Sequence, residues 1–330
     1  MTVSTTHESA SFPVSGPEVP VFTPLPGRRR RLIPILLLLA SMVTSAASGA
    51  RLMANYRHGL APLVSDGDLF PLGWIWRHPA ALPGGWSFSF ALLVILLAHE
   101  LGHFIYCGRH GILVSWPWVL PAPTLSGTAG AVIRIRSRIP SRRSLLEVGI
   151  AGPIAGYVAS VVAACIGLLL SKPAAPDGPR PLVEFHQPLT VVLLHKLFAL
   201  FVPGLPSLHH LSPHPVLLAS WIGFLLTSLN LIPAGQLDGG HILYALSPKW
   251  HRRTMYAVPA LLLAMGATLW TGWLLWGSIL LLPAMRHPRV PQYPPPPPSY
   301  RGLGLLAAAL LAFSALPAPF GSVGLLNLFR

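Results

Sequence analysis

The chain has 330 residues, of which 52% are hydrophobic and only 10% charged, with a net charge of +14. A mean hydropathy of +0.59 excludes the pair of soluble domains that the length alone would suggest and points to an integral membrane protein. The basic residues fall in short clusters between apolar runs, with no single patch of interleaved aromatics, so they read as topology signals and not as a nucleic-acid surface.

Residues 1–31 are polar, without periodicity, and end on Arg28 to Arg31; they read as a disordered basic tail. The apolar run at 32–50 follows, and by the positive-inside rule the tail is cytoplasmic and this first anchor crosses outward. Small residues at Ala47 to Ala50 also suit a signal-peptidase site, but the long leader favours an uncleaved anchor. Residues 51–86 mix Arg, Asp, Trp, Pro and Gly and read as an external loop with interfacial Trp74 and Trp76. A second span over 87–107 returns inward. The prolines at 117, 121 and 123 forbid a continuous helix over 111–140, while Ala131 to Arg136 alternates with period two, so a hairpin is expected there. Such a hairpin suits either a re-entrant loop that offers a strand edge to a peptide or a purely structural turn.

A third span covers 145–170, and Gly152 and Gly156 on it are spaced for close helix approach. Glu147 at its start is expected to pair with a nearby arginine. The short run 189–201 reads as interfacial, and His209, His210 and His214 as solvated loop residues. A further span over 216–231 leads into a Pro- and Gly-rich turn. Residues 251–285 are too long for one crossing and break at Thr271-Gly272, which predicts a helical hairpin. A Pro-rich linker (286–301) and an apolar C-terminal segment (302–330) complete the chain, and 87–250 form its membrane core. Cys107 and Cys165 show neither metal spacing nor a disulfide framework, and Cys107 reads as a small apolar filler. The expected architecture is an all-α polytopic membrane protein of about six transmembrane helices with a re-entrant hairpin-like loop.

Three of the nine acids, Glu100, Glu147 and Asp238, lie within or at the edge of apolar segments, where an unpaired carboxylate is least stable. His99 and His103 stand four apart, so on a helix both imidazoles share one face and can grip a metal ion, with Glu100 beside them. The pattern H-E-x-x-H supplies two zinc ligands and a carboxylate able to take a proton from activated water. A catalytic zinc takes three protein ligands, and Asp238, in the turn Pro233-Ala234-Gly235-Gln236-Leu237-Asp238-Gly239-Gly240, is the expected third. His241 competes for that role.

Together, His99-Glu100-Leu101-Gly102-His103, Ala151-Gly152-Pro153 and Asn230-Leu231-Ile232-Pro233 leading to Leu237-Asp238-Gly239-Gly240 resemble the site-2 protease family of intramembrane zinc metalloproteases. The resemblance covers about 87–250 and matches a compact form without an evident PDZ or CBS domain. It implies Zn2+ held by His99, His103 and Asp238, Glu100 as the catalytic base, and Asn230 and Pro233 holding substrate or its oxyanion. It also implies a single-span membrane protein as substrate, with the lipid bilayer and no nucleic acid as partners; the oligomeric state is left open. Gly235 departs from the pattern, since many members carry a second proline there. The expected location is a prokaryotic cytoplasmic membrane, with the N-terminus and the active-site end toward the cytoplasm. The rival reading is a multi-span transporter or metal-binding membrane protein that uses the buried His and Asp residues as an ion pathway.

Overall fold

The computed structural model describes residues 28–175, 181–288, 290 and 295–321. Residues 1–27 of the tail expected at 1–31, residues 289 and 291–294 of the linker and the C-terminal segment beyond 321 lie outside these residues; residues 28–31, expected to be disordered, instead form the first turn of a helix. Helices dominate: α1 (Arg28–Arg57), α2 (Leu72–Arg77), α3 (Trp86–Arg109), α4 (Arg142–Leu170), α5 (Leu189–Ala199), α6 (Pro215–Asn230), α7 (Asp238–Leu246), α8 (Pro248–Thr268), α9 (Gly272–Leu281) and α10 (Arg301–Ser314). Among the described residues, sheet is confined to two short antiparallel pairs, β1 (Trp118–Pro121) with β2 (Thr128–Val132), and β3 (Lys172–Pro173) with β4 (Leu211–Ser212). Among the described residues three helices are long and apolar enough to cross a membrane: Leu32–Arg57, Pro79–Arg109 and Arg142–Leu170. Shorter apolar helices cover Leu189–Ala199, Pro215–Asn230 and Gly272–Leu281.

The centre of the molecule is the packing of α3, α4 and α6. Small residues let these backbones meet, as the glycine spacing on α4 predicts. A Cβ at Gly102 would lie 2.5 Å from the Ala151 carbonyl oxygen, and one at Gly167 would lie 2.4 Å from the Leu217 amide. Gly152 serves a different purpose: a Cβ there would stand 2.1 Å from His103 Nε2, so its missing side chain is the space into which that imidazole fits. Cys107 is fully buried with Ile112 and Val148, the filler expected of it.

α1 differs from the expected anchor, because it continues past residue 50 to Arg57. The charge of Arg51, which suggested a loop, is neutralised within the fold. Arg51 Nε donates to Asp68 Oδ1, and Asp68 Oδ2 accepts from Val64 N (2.8 Å), Ser65 N (3.0 Å) and Asn55 Nδ2 (3.3 Å). Burial alone would raise the Asp68 carboxyl, but the Val64 and Ser65 amides and the Arg51 guanidinium together hold it below the ordinary carboxylate range. His214 also departs from the solvated role, since it is buried and its Nδ1 accepts from Val216 N (3.2 Å) to cap α6, while His209 and His210 are exposed.

The hairpin is fastened to α1 through hydroxyls. Ser41 Oγ donates to Val119 O (3.0 Å), Thr44 Oγ1 to Gly127 O and Ser48 Oγ to Thr124 O (3.2 Å). Gly127 adopts φ +72° at the turn, and a Cβ there would collide with Ser45 Cα at 2.3 Å. The strand begins at Thr128, three residues before the alternating stretch, and the later part of that stretch makes only a bridge from Ile135 to Val114. With β1 turned to α1, β2 is the strand that faces α3 and the interior.

Two outcomes follow from this packing. Gly152→Ala should lower stability by about 1–3 kcal/mol through overpacking against His103, while Gly108→Ala, with nothing within 4 Å of the added carbon, should be neutral; thermal unfolding in detergent reads both. Because the folded Asp68 carboxyl lies below its ordinary value of 3.8, its contribution is fully present above that value and is lost as pH falls through the lower folded one. Asp68→Asn should therefore cost about 1–3 kcal/mol at pH 7, with the gap to wild type closing as unfolding is followed downward from about pH 4.

Candidate metal centre

The site is built where α3 meets α4 and the turn between α6 and α7. His99, Glu100 and His103 are all buried, at 8%, 7% and 8% exposure, inside an apolar helix. Asp238 is the first residue of α7, so its carboxylate sits at the positive end of that helix. The turn before it is tight. Gly235 takes φ +63°, and a Cβ at Gly239 would lie 2.0 Å from Leu231 O. Proline cannot adopt φ +63°, so the glycine that departs from the family pattern gives this turn a left-handed residue that a second proline would forbid. His251 Nε2 donates to the Gly235 carbonyl (3.1 Å) and fixes the turn from α8.

Three donor atoms converge. His99 Nε2 and His103 Nε2 are 3.1 Å apart, and Asp238 Oδ2 lies 3.2 Å from the first and 3.4 Å from the second. Ligand atoms about 2.0–2.1 Å from a tetrahedral zinc stand roughly 3.3–3.4 Å from one another, so the triangle has the size the ion requires. The donor set of two imidazoles and one carboxylate is one that zinc accepts at catalytic sites. His103 is oriented from behind: its Nδ1 donates to Val148 O (2.8 Å), so that in the neutral ring Nε2 carries the lone pair and is turned to the group. Among the described residues this trio is the one cluster of His, Cys, Asp and Glu side chains able to hold a metal ion.

A crevice of about 270 Å³ opens over the trio, and its lining includes Ala131 to Ile133, Asn230, Gln236 to Asp238 and His241. Glu100 lies within it, facing the backbone of Ile133. Asn230 Nδ2 is 3.3 Å from His99 Nε2, so the asparagine reaches the metal-facing atoms. Pro233 does not: it lines a separate apolar cavity between α7, α10 and residues 295–298. His241 lines the crevice but is not one of the three converging donors. Glu147 is engaged elsewhere, accepting from Arg143 Nε (2.9 Å), His110 Nε2 (2.8 Å) and Tyr300, the structural pairing expected of it.

One part of the site gave no sequence signal. The stretch 284–288 contacts two residues that line the crevice: Gln236 Nε2 donates to Ala284 O (2.6 Å) and Arg286 O (2.9 Å), and His287 meets His241. In the sequence, Arg286 and His287 read only as the start of the Pro-rich linker, and no spacing ties them to Asp238.

Comparison with known proteins agrees with this geometry. The model of peptidase family M50 matches residues 87–270, just over half of the chain. Curated relatives include two from Arabidopsis thaliana: the probable zinc metalloprotease EGY1, chloroplastic, is 37% identical over 49% of this chain and 29% of its own length, and EGY2, chloroplastic, is 30% identical over 74% and 43%. A third, EGY1 of Oryza sativa subsp. japonica, is 35% identical over 47% of this chain and 27% of its own. The chain thus spans less than half the length of these relatives. Since the match takes in both the His-Glu helix and the turn that carries Asp238, the chain belongs to peptidase family M50, the family of the site-2 proteases.

Proposed function

We propose that this membrane metalloprotease is a site-2-type endopeptidase that hydrolyses a peptide bond in or near the transmembrane segment of a single-span membrane protein, in regulated intramembrane proteolysis. The observation that carries the reading is the convergence of His99 Nε2, His103 Nε2 and Asp238 Oδ2 to within 3.4 Å, beside Glu100, in a crevice of about 270 Å³. In this reading His99, His103 and Asp238 hold zinc. When bound, zinc supplies Lewis-acid polarisation of a carbonyl and a lowered pKa for water.

The chain's own residues do the rest. Glu100 accepts a proton from water as the water oxygen bonds to the peptide carbonyl carbon, and it returns that proton to the nitrogen as the C–N bond breaks. Asn230 Nδ2, beside His99, donates to the substrate carbonyl or its developing oxyanion. A helical substrate hides its carbonyls, so the segment must unwind, and the backbone of β2 at the crevice wall offers its edge to the extended form. Pro233 shapes the turn behind the site, on the side of the apolar cavity, and acts on substrate through that turn.

About six crossings complete the proposed topology: the three long helices together with the shorter α6, α8 and α9. The arginine-rich ends of α1, α3 and α4 orient the site's end toward the cytoplasm. A membrane location is common to this chain and the reading above; the prokaryotic membrane expected from the sequence gains no support from the relatives, which are chloroplastic by name.

Glu100→Gln should retain zinc at one ion per chain and lower cleavage by about 10²–10⁴-fold, while Asp238→Ala should lower bound zinc at least about tenfold. Metal analysis of purified protein and proteomics of membrane-protein fragments from cells with wild-type or Glu100→Gln protein read the two. Unchanged zinc in Asp238→Ala would move the third ligand elsewhere. Altered ion flux with identical fragment profiles would favour the ion-pathway rival.

A further inference from the structure

Behind the crevice, a line of hydrogen bonds runs from His241 out through the 284–288 stretch. His241 Nδ1 is 2.8 Å from His287 Nε2, and His287 Nδ1 is 2.7 Å from the Pro288 carbonyl oxygen. A carbonyl only accepts, so His287 must carry a proton on Nδ1. In a neutral ring its Nε2 is then an acceptor, and His241 must donate to it from Nδ1. The tautomer of His241 follows: Nε2 holds a lone pair and no proton.

The position of His287 is fixed by more than this bond. Its ring stacks on Tyr244 with centroids 4.0 Å apart and planes 9° apart, and His251 meets it edge-on at 5.2 Å. Burial pushes the His287 imidazole down to about 4, which keeps the ring neutral at pH 7. Gln236 clamps the same stretch through Ala284 O and Arg286 O. Residues 284–288 lie beyond the 87–270 match to the family model.

We propose that His241 Nε2 is a hydrogen-bond acceptor for a backbone N–H of the extended peptide in the crevice, and that His287 is the positioning residue that fixes its tautomer. The crevice wall formed by β2 and Ile133 offers backbone groups to one edge of an extended strand. His241 also lines the crevice, and its Nε2 has no hydrogen-bond partner among the described residues. An extended strand presents N–H groups on both edges, so an acceptor is needed beyond the β2 wall. The reading rests on the proposed peptidase function, since it assigns the crevice to a peptide.

The test uses the full chain in lipid nanodiscs. In 15N-histidine-labelled protein, His241, assigned by its loss in His241→Phe, should appear as the Nδ1–H tautomer. In His287→Phe, which keeps a ring on Tyr244 but offers no acceptor, that tautomer should be lost, and in His287→Gln, whose amide oxygen can accept, it should be retained. Binding of fluorescent β-casein, an extended polypeptide, is measured by anisotropy in the Glu100→Gln background so that no cleavage intervenes. His241→Phe should weaken it about tenfold, His287→Phe should weaken it by several-fold, and the double variant should bind no more weakly than His241→Phe alone. An Nε2–H tautomer for His241 in the otherwise unchanged protein, or additive losses in the double variant, would overturn the proposal. Failure of the peptidase reading shows separately, as identical membrane-protein fragment profiles from cells with wild-type and Glu100→Gln protein, while the tautomer and binding arms still report on His241.

Discussion

The structure depends on burying three metal-seeking side chains in an apolar helical core without stranding their polar atoms. An unpartnered imidazole or carboxylate at that depth is costly, and each of the three is met by a specific group. Val148 O takes the His103 Nδ1 proton, the N-terminus of α7 faces the Asp238 carboxylate, and Asn230 stands against His99. These partners can reach only because α3 and α4 approach closely. Gly152 is the clearest case, since the volume of its absent side chain is occupied by the His103 ring. Helix packing and site geometry are therefore one constraint: what separates α3 from α4 also removes the carbonyl that orients His103.

Much of this could be read from residue order because the chemistry is local there. Four-residue spacing puts His99 and His103 on one helical face whatever surrounds them, and an acid in a Gly-rich turn has few structural uses beside a two-ligand helix. The break at Thr271-Gly272 was legible for the same reason: α8 ends at Thr268 and α9 begins at Gly272. The misreadings arose where a distant partner changes the meaning of a residue. Arg51 looked like the end of a span, yet Asp68 neutralises it and α1 runs on to Arg57. Ala131 to Arg136 alternates like a strand, but hydroxyls on α1 hold the paired region earlier, at Thr128–Val132.

The hairpin illustrates how a polar element is held against apolar helices. Ser41, Thr44, Ser45 and Ser48 line the α1 face that it meets, and three of their hydroxyls satisfy hairpin carbonyls that would otherwise face a helix with nothing to donate. Ser45 instead meets Ser89 on α3, at 2.7 Å, so the same serine stripe ties α1 to the site helix. In sequence these serines lie inside a hydrophobic run and lower its apolar character slightly; in the fold they set where β2 stands relative to Glu100.

The turn from Leu231 to Asp238 explains why the site needs chain from beyond its own core. Gly235 in a left-handed conformation makes the turn compact but also removes the stiffness that a proline would lend. Two later segments restore it from outside: on α8, Met255 Sδ accepts from Gly235 N at 3.2 Å and His251 donates to Gly235 O, and after α9, Ala284 O and Arg286 O accept the Gln236 amide. A turn braced in this way holds Asp238 by tertiary contact where local backbone restriction would be insufficient. The same bracing brings His287 against His241, so the segment that stiffens the metal-side turn also sets the proton position on the ring beside it. Bracing of the Asp238 turn and the proton position on His241 thus both draw on the stretch after α9.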